Sequence, residues 1–425
     1  MYIKNYLTLL VLLLMCMSSN SVSTLEEIVP HVKKINSIST ISSDINLDEI
    51  ATNNRIIFLG ELTHDDYVSD TLSLELIKTL HEKYNFNILI EEMGLRMGNV
   101  TERDTAEDVI KSLYKQNLIF LELGEYDILN YYQASRKSKN PLILAGIDLS
   151  YDSGVTTGLK QFVMHNINNS TPILESKELA FITSFYKKTL FSKPKHVKQN
   201  KRVERFVLYC KTLATQLQLS QSKDVAQQQY WIQELENMSS YVSWMWYHEK
   251  TKIHQDFDIR DEQMARNLLW YIHKVYPTEK IIVRVSNYHL ARYLNTIENN
   301  ARLRPNTKVC LDLAKDSIKD NYFSIAFTHY FTPTIGKEKP IDYIPIADET
   351  SLEAILHAHN YNYAFLNMKE LKAKNINTTF NSYLLLRTSC KADWASVYDG
   401  IIYIDKEKIN FNYELNVVPY PRRKT

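Results

Sequence analysis

Uninterrupted apolar runs recur along this chain and alternate with stretches whose apolar residues return every three or four positions. "RIIFLG" at Arg55–Gly60, "NILIE" ending at Glu91 and "LILAGID" ending at Asp148 have the length and continuity of strands buried on both faces. Between them, Leu72, Leu76, Ile77 and Leu80 mark one face of a helix over Ser69–Tyr84, and further helices are expected near Ala106–Tyr114 and Ile128–Ser138. Such alternation predicts a parallel sheet covered by helices. From Gly154 to Tyr276 no buried strand is evident, and helical segments such as "QQYWIQELENMSSYVSWMWYHEKTK" dominate. Strand-like runs resume at "KIIVRVSN" and continue through "KVCLDLA", "YFSIAFTHYF", "NYAFLNM", "SYLLLRT" and "DGIIYID". The expected fold is therefore α/β, with a mainly parallel central sheet flanked by helices and a large helical insertion. In residue terms, 55–153 and 277–425 form the α/β domain, 154–276 the insertion and 24–54 a polar N-terminal segment, with the ordered body starting at Arg55.

The first 23 residues read differently. Lys4 precedes an apolar run from Leu7 to Met17, too short to span a bilayer as a stable helix, and small polar residues follow. This is the pattern of an export signal, which places the mature chain outside the cytoplasm, in the periplasm or on a membrane. Cys16, after "LLM", stands where a lipoprotein signal carries its lipid-bearing cysteine; the alternative is simple cleavage near Ser19–Ser23.

Composition narrows the classes. With 425 residues and 44% apolar content the chain can bury a sizeable core. A formal charge of +1 provides no electrostatic footprint for nucleic acid. Beyond Cys16, Cys210, Cys310 and Cys390 are odd in number and widely spaced, which is neither a disulfide framework nor a metal knuckle.

Candidate chemistry lies at the strand ends, because open parallel sheets bind ligands beyond the carboxyl ends of their strands. Glu61 and His64 follow the first strand, Glu91 and Glu92 end the second, Asp148 ends the third, and Asn287 and His289 follow "IIVRVS". Asp65 and Asp66 read as caps of the following helix, whereas Glu61 comes too early for that role. No G-x-S-x-G elbow, Walker loop, G-x-G-x-x-G or H-E-x-x-H is present, so a serine nucleophile has no visible platform.

In order, "FLGELTH", "LIEEMG", "LAGIDLSY", "FDIRDEQMARN", "VRVSNYHLARYL" and "VYDGIIYID" resemble the erythromycin esterase family and its wider EreA/ChaN-like superfamily. The resemblance implies an α/β core with a helical insertion and hydrolysis of a small-molecule carboxylic ester or lactone by activated water, without a cofactor. It implies His64 of the G-E-x-T-H motif as general base, Glu61 as its acidic partner, a second carboxylate at Glu91 or Glu92, Arg260 to stabilise the oxyanion, and His289. Two departures stand out: Ser286 occupies the place of a second histidine, and Asp65 that of a glycine.

Two other readings compete. Superfamily members that bind haem or a divalent metal suggest Glu61, His64, Glu92 and His289 as ligands, oxygen and nitrogen donors suited to such an ion. Ser286 also fits a non-catalytic surface binding protein built on the same scaffold.

Overall fold

The computed structural model describes residues 25–63, 66–95, 123–150, 154–166, 176–191, 200–251, 256–298, 307–334, 342–346, 348–385 and 387–408. The export signal with Cys16, the helix expected near Ala106–Tyr114, and both His64 and Asp65 lie outside the described residues.

Eleven strands are described: β1 (Lys33–Lys34), β2 (Ile56–Leu59), β3 (Ile88–Gly94), β4 (Ile143–Asp148), β5 (Ile281–Arg284), β6 (Tyr322–Thr334), β7 (Asp342–Pro345), β8 (Tyr363–Asn367), β9 (Thr379–Leu385), β10 (Thr388–Asp393) and β11 (Gly400–Lys406). The main sheet runs β1-β8-β11-β6-β2-β5-β3-β4, with β7 added to β6. From β11 through β4 every neighbouring pair is parallel. Antiparallel pairing is confined to β1 with β8, β8 with β11, and β6 with β7. The sheet is thus mixed and mainly parallel, as the continuous apolar runs predict.

Described helices of seven or more residues are α1 (Leu47–Asn53), α2 (Tyr67–Tyr84), α3 (Leu123–Ser135), α4 (Gly154–Asn166), α5 (Ser176–Phe191), α6 (Asn200–Leu219), α7 (Val225–Thr251), α8 (Asp256–Trp270), α9 (Cys310–Ile318) and α10 (Leu352–Ala358). Successive strand residues point to opposite faces. On β2, Ile56 and Phe58 join the core shared with α4–α9, while Ile57 and Leu59 join the core shared with α1, α2 and α3. All four are buried, which explains why the strand shows no polar alternation.

Three expectations are corrected. "KVCLDLA" begins a helix, α9, instead of a strand: Cys310, Leu311, Ala314 and Ile318 are buried at helical spacing, and a short apolar run fits either period until neighbours decide. "SYLLLRT" forms β9, which pairs with β10 in a two-stranded sheet separate from the main one. The ordered body does not begin at Arg55, because Leu25, Ile28, Ile41, Leu47 and Ile50 are already in the core and β1 pairs with β8. Their apolar residues are too scattered among polar ones to announce this.

Two glycines permit the close approaches that shape the strand ends. A Cβ on Gly146 of β4 would lie 2.4 Å from the Gly94 carbonyl oxygen, where β3 breaks register with β4 between Glu91 and Gly94. A Cβ on Gly60, just after β2, would lie 2.1 Å from Asn287 Oδ1 and 3.1 Å from the Ile325 carbonyl oxygen. That amide is a cross-brace: Nδ2 donates to the Phe327 (2.7 Å) and Leu384 (3.0 Å) carbonyls, and Oδ1 accepts from Phe327 N–H (3.1 Å). Asn287 at its strand end therefore has a structural employment. Gly60→Ala should force the brace apart and lower unfolding free energy by about 1–3 kcal/mol, read as a lower urea midpoint at unchanged slope; an unshifted midpoint would show that Asn287 yields without cost.

Candidate active site

The in-register pairing of β2, β5 and β3 brings their carboxyl ends level, with Leu59 and Glu91 both opposite Arg284. Glu91 and Glu92 are consecutive on β3 and serve opposite sides of the sheet. Two charged groups result.

The first lies on the side of α8 and α9. Arg260, near the start of α8, clamps Asp148 with two bonds, Nε to Oδ1 at 2.9 Å and Nη2 to Oδ2 at 2.8 Å, and Nη2 also donates to Glu92 Oε1 at 2.7 Å. This planar fork suits carboxylates and remains charged at any working pH. The second oxygen of Glu92 accepts from Ser286 N–H at 2.8 Å, so the backbone of the residue that departs from the family pattern holds a carboxylate of the group.

His289 lies on the same side, buried. Its Nδ1 is 2.6 Å from Asp261 Oδ1, and its Nε2 is 3.2 Å from both Glu92 Oε1 and Arg260 Nη1. A neutral ring would accept from the guanidinium, whereas a protonated one donates to both carboxylates. Burial alone would lower the pKa, but Asp261 and then Glu92 outweigh it and raise it to about 10. The two carboxylates therefore favour the imidazolium form at neutral pH. Asp261 also accepts from Cys310 N–H at 3.0 Å, which fixes α8 to α9.

The second group lies on the side of α2. Arg284, 2% exposed, donates to Glu61 Oε2 at 2.7 Å, to Glu91 Oε2 at 3.1 Å and to Asp70 Oδ1 of α2. Three carboxylates around one cation are in excess. Burial pushes Asp70 and Glu91 each up to about 7, against the pull of Arg284.

Nearby, Asp66 caps α2 through its carbonyl, which accepts from Asp70 N–H at 3.0 Å, while its carboxylate accepts from Thr63 N–H (2.9 Å) and Oγ1 (2.7 Å). The expected side-chain cap is therefore absent at Asp66, whose carboxylate is turned back to Thr63. Burial raises Asp66 to about 6 and Glu407, which follows β11 and accepts from Ser69 Oγ at 2.9 Å, to about 8. His329 of β6, 3.9 Å from Asp66, is pushed down to about 3 by burial and then by Arg387, and stays neutral.

Of the residues singled out in the sequence, Arg260, His289 and Glu92 come together, joined by Asp148. Glu61 and Glu91 come together instead around Arg284, and His64 lies outside the described residues. Glu61 therefore has a different partner from Glu92 and His289, its companions in the metal reading, and among the described residues no three His, Cys, Asp or Glu side chains are grouped to hold a metal ion. Sequence reasoning missed Asp70, Asp261 and Arg284. The last carried a signal: an arginine inside the buried strand "IIVR" is rare without a paired charge.

A mainly parallel sheet whose strand ends hold buried groups of arginine, histidine and carboxylate side chains defines an α/β protein with a charged strand-end site. The erythromycin esterase family model matches residues 126–407, and the chain belongs to that family. It is similar to "Putative hydrolase YbfO" of Bacillus subtilis (strain 168), 23% identical over 364 residues that cover 81% of each chain. Among solved structures, a Bacillus cereus protein matches with a TM-score of 0.68 at 17% identity, over 92% of this chain and 99% of that one. A structure described as a succinoglycan biosynthesis protein matches at 0.68 and 18%, over 92% and 97% of the two chains. A histidine-to-asparagine mutant of the erythromycin esterase EreC, in its open conformation, matches at 0.68 and 17%, over 90% and 100%. At these identities the solved structures establish a shared fold.

The raised pKa of His289 has a sign that can be checked. The folded protein keeps a proton that the unfolded chain releases near the ordinary value of 6.5, so the stabilisation is complete below that pH and is lost as pH rises towards about 10. Between about pH 7 and 10 the wild type should lose unfolding free energy more steeply than His289→Gln. Parallel pH profiles from urea melts would refute a charged His289.

Proposed function

We propose that this protein hydrolyses a small-molecule carboxylic ester or lactone by direct attack of water, with His64 as the general base. The observation that carries the reading is the adjacency of Arg260 and the charged His289, Nη1 to Nε2 at 3.2 Å, beside the strand ends. Two preset cations suit negative charge developing on a carbonyl oxygen. A ring whose pKa is raised to about 10 is poorly suited to take up a proton at neutral pH, and the family resemblance of "GELTH" points to His64 for the basic role.

In the proposed reaction His64 removes a proton from water as the oxygen attacks the ester carbon, and Arg260 stabilises the tetrahedral oxyanion. Collapse breaks the carbon–oxygen bond to the alcohol, which leaves with the proton returned by His64, and a carboxylic acid remains. Glu61, fixed by Arg284, orients the imidazole of His64, and Glu91 keeps Arg284 in place. Asp148 and Glu92 hold Arg260 against the pull of solvent.

His64→Asn keeps size and polarity but cannot take a proton. It should lower turnover of small aryl esters and lactones by on the order of a hundredfold to ten-thousandfold, with an unchanged melting temperature. Normal turnover, or loss through unfolding alone, would remove His64 from this role. We further propose export, motivated by the apolar run Leu7–Met17, with the protein free in the periplasm or tethered through Cys16. Recovery of chains with Met1 intact from the cytoplasm as the dominant species would refute it.

A further inference from the structure

Helices α6, α7 and α8 border a cavity of about 710 Å³, within the range of small-molecule pockets. It lies against a face of α8 formed by Ile259, Gln263 and Arg266, whereas Arg260 and Asp261 leave the helix in other directions to reach Asp148 and His289. Part of the wall is apolar: Val207 and Ala214 of α6, Ile232 and Leu235 of α7, and Ile259. Another part is hydroxylic, from Ser239, Ser240 and Ser243 of α7.

Ser239 is 8% exposed, and its Oγ meets no oxygen or nitrogen partner. It bonds instead to the Cys210 thiol, a weak acceptor. A buried hydroxyl bonded to sulfur alone gains free energy from a better acceptor such as a ligand oxygen. The lining carries Lys211 at the exposed rim, Arg266 and Glu236, and Arg266 also pairs with Glu262 beyond the lining, Nη1 to Oε2 at 3.7 Å. Arg266 is held partly inward: Nη2 donates to Gln263 Oε1 at 2.9 Å and to Ser240 Oγ at 3.3 Å.

We propose that this cavity is an accessory binding site for an amphipathic monoanion, a carboxylate on an apolar body. The body lies along Val207, Ala214, Ile232 and Leu235, and the carboxylate accepts from the Ser239 and Ser243 hydroxyls and from Arg266 and Lys211. The site is built into the fold, because its polar floor continues into the sheet. Ser240 Oγ donates to Gln263 Oε1 (2.8 Å), Gln263 Nε2 donates to Asn267 Oδ1 (2.8 Å), and Asn267 Nδ2 donates to the Ile147 carbonyl (2.7 Å), one residue from Asp148.

Calorimetric titration of the full-length protein with decanoate, below its micelle concentration, tests the site without reference to catalysis. Saturable binding at one site is expected. It should be abolished in Ala214→Trp, which fills the cavity, and weakened by about tenfold or more in Lys211→Glu, an exposed substitution expected to leave the melting temperature unchanged. No saturable binding to the wild type, or equal affinity in both variants, overturns the proposal. Decanol binding as tightly as decanoate overturns the anionic ligand.

Discussion

The guanidinium of Arg284 is the fixed point of this molecule. It sits at the end of β5, 2% exposed, and its bonds reach the exit of β2 through Glu61, the start of α2 through Asp70 and the end of β3 through Glu91. An isolated charge in that position would be prohibitive, and removing one partner of a buried pair typically costs about 3–5 kcal/mol. The three carboxylates therefore have little freedom to move, and neither do the loops that leave their elements. Asn287 completes the arrangement three residues on, with Gly60 making room for its amide. The strand ends are located by this bracing as much as by the sheet, and Arg260, Glu92 and His289 are set against a stiff backing.

Much of the architecture was legible in the sequence, because strands buried on both faces cannot alternate and helices that cover them must. That rule finds β2 through β6 and β11. It fails at Cys310–Ile318, where a few apolar residues fit two periods and contact with α8 and the short helix Asn287–Leu290 selects one. It fails again before Arg55, where Leu25 and Ile28 sit in a single helical turn and Ile35 in irregular chain, all of them core residues. The site was legible as a set of strand-end residues but not as two sets. Which side each carboxylate serves depends on the pleat and on a register break in β3, and neither is written in the types of residue. Asp261 illustrates the limit. Beside Arg260 in "IRDE" it looks like a surface acid, and only the packing of α8 against α9 buries it beside His289.

Charge balance separates the two sides. Among the described residues on the α8 side, Arg260 and His289 face Glu92, Asp148 and Asp261, two basic groups against three carboxyl groups. On the α2 side one arginine faces three carboxylates, and burial answers by retaining protons on Asp70 and Glu91. The former arrangement favours charged cations through the neutral range, as the proposed oxyanion stabilisation requires. The latter is poised to exchange protons near neutrality, immediately behind it.

The adjacency of Glu91 and Glu92 along one strand turns β3 into a partition that separates the two groups sterically but not electrically. The charge on Glu92 is already among the influences that raise the pKa of Glu91 across the backbone. A ligand that neutralised Glu92 would lower the proton affinity of Glu91, although burial, the first cause of its raised pKa, would be untouched. Occupancy of one face would then bias the protonation of the other through the thickness of a single strand.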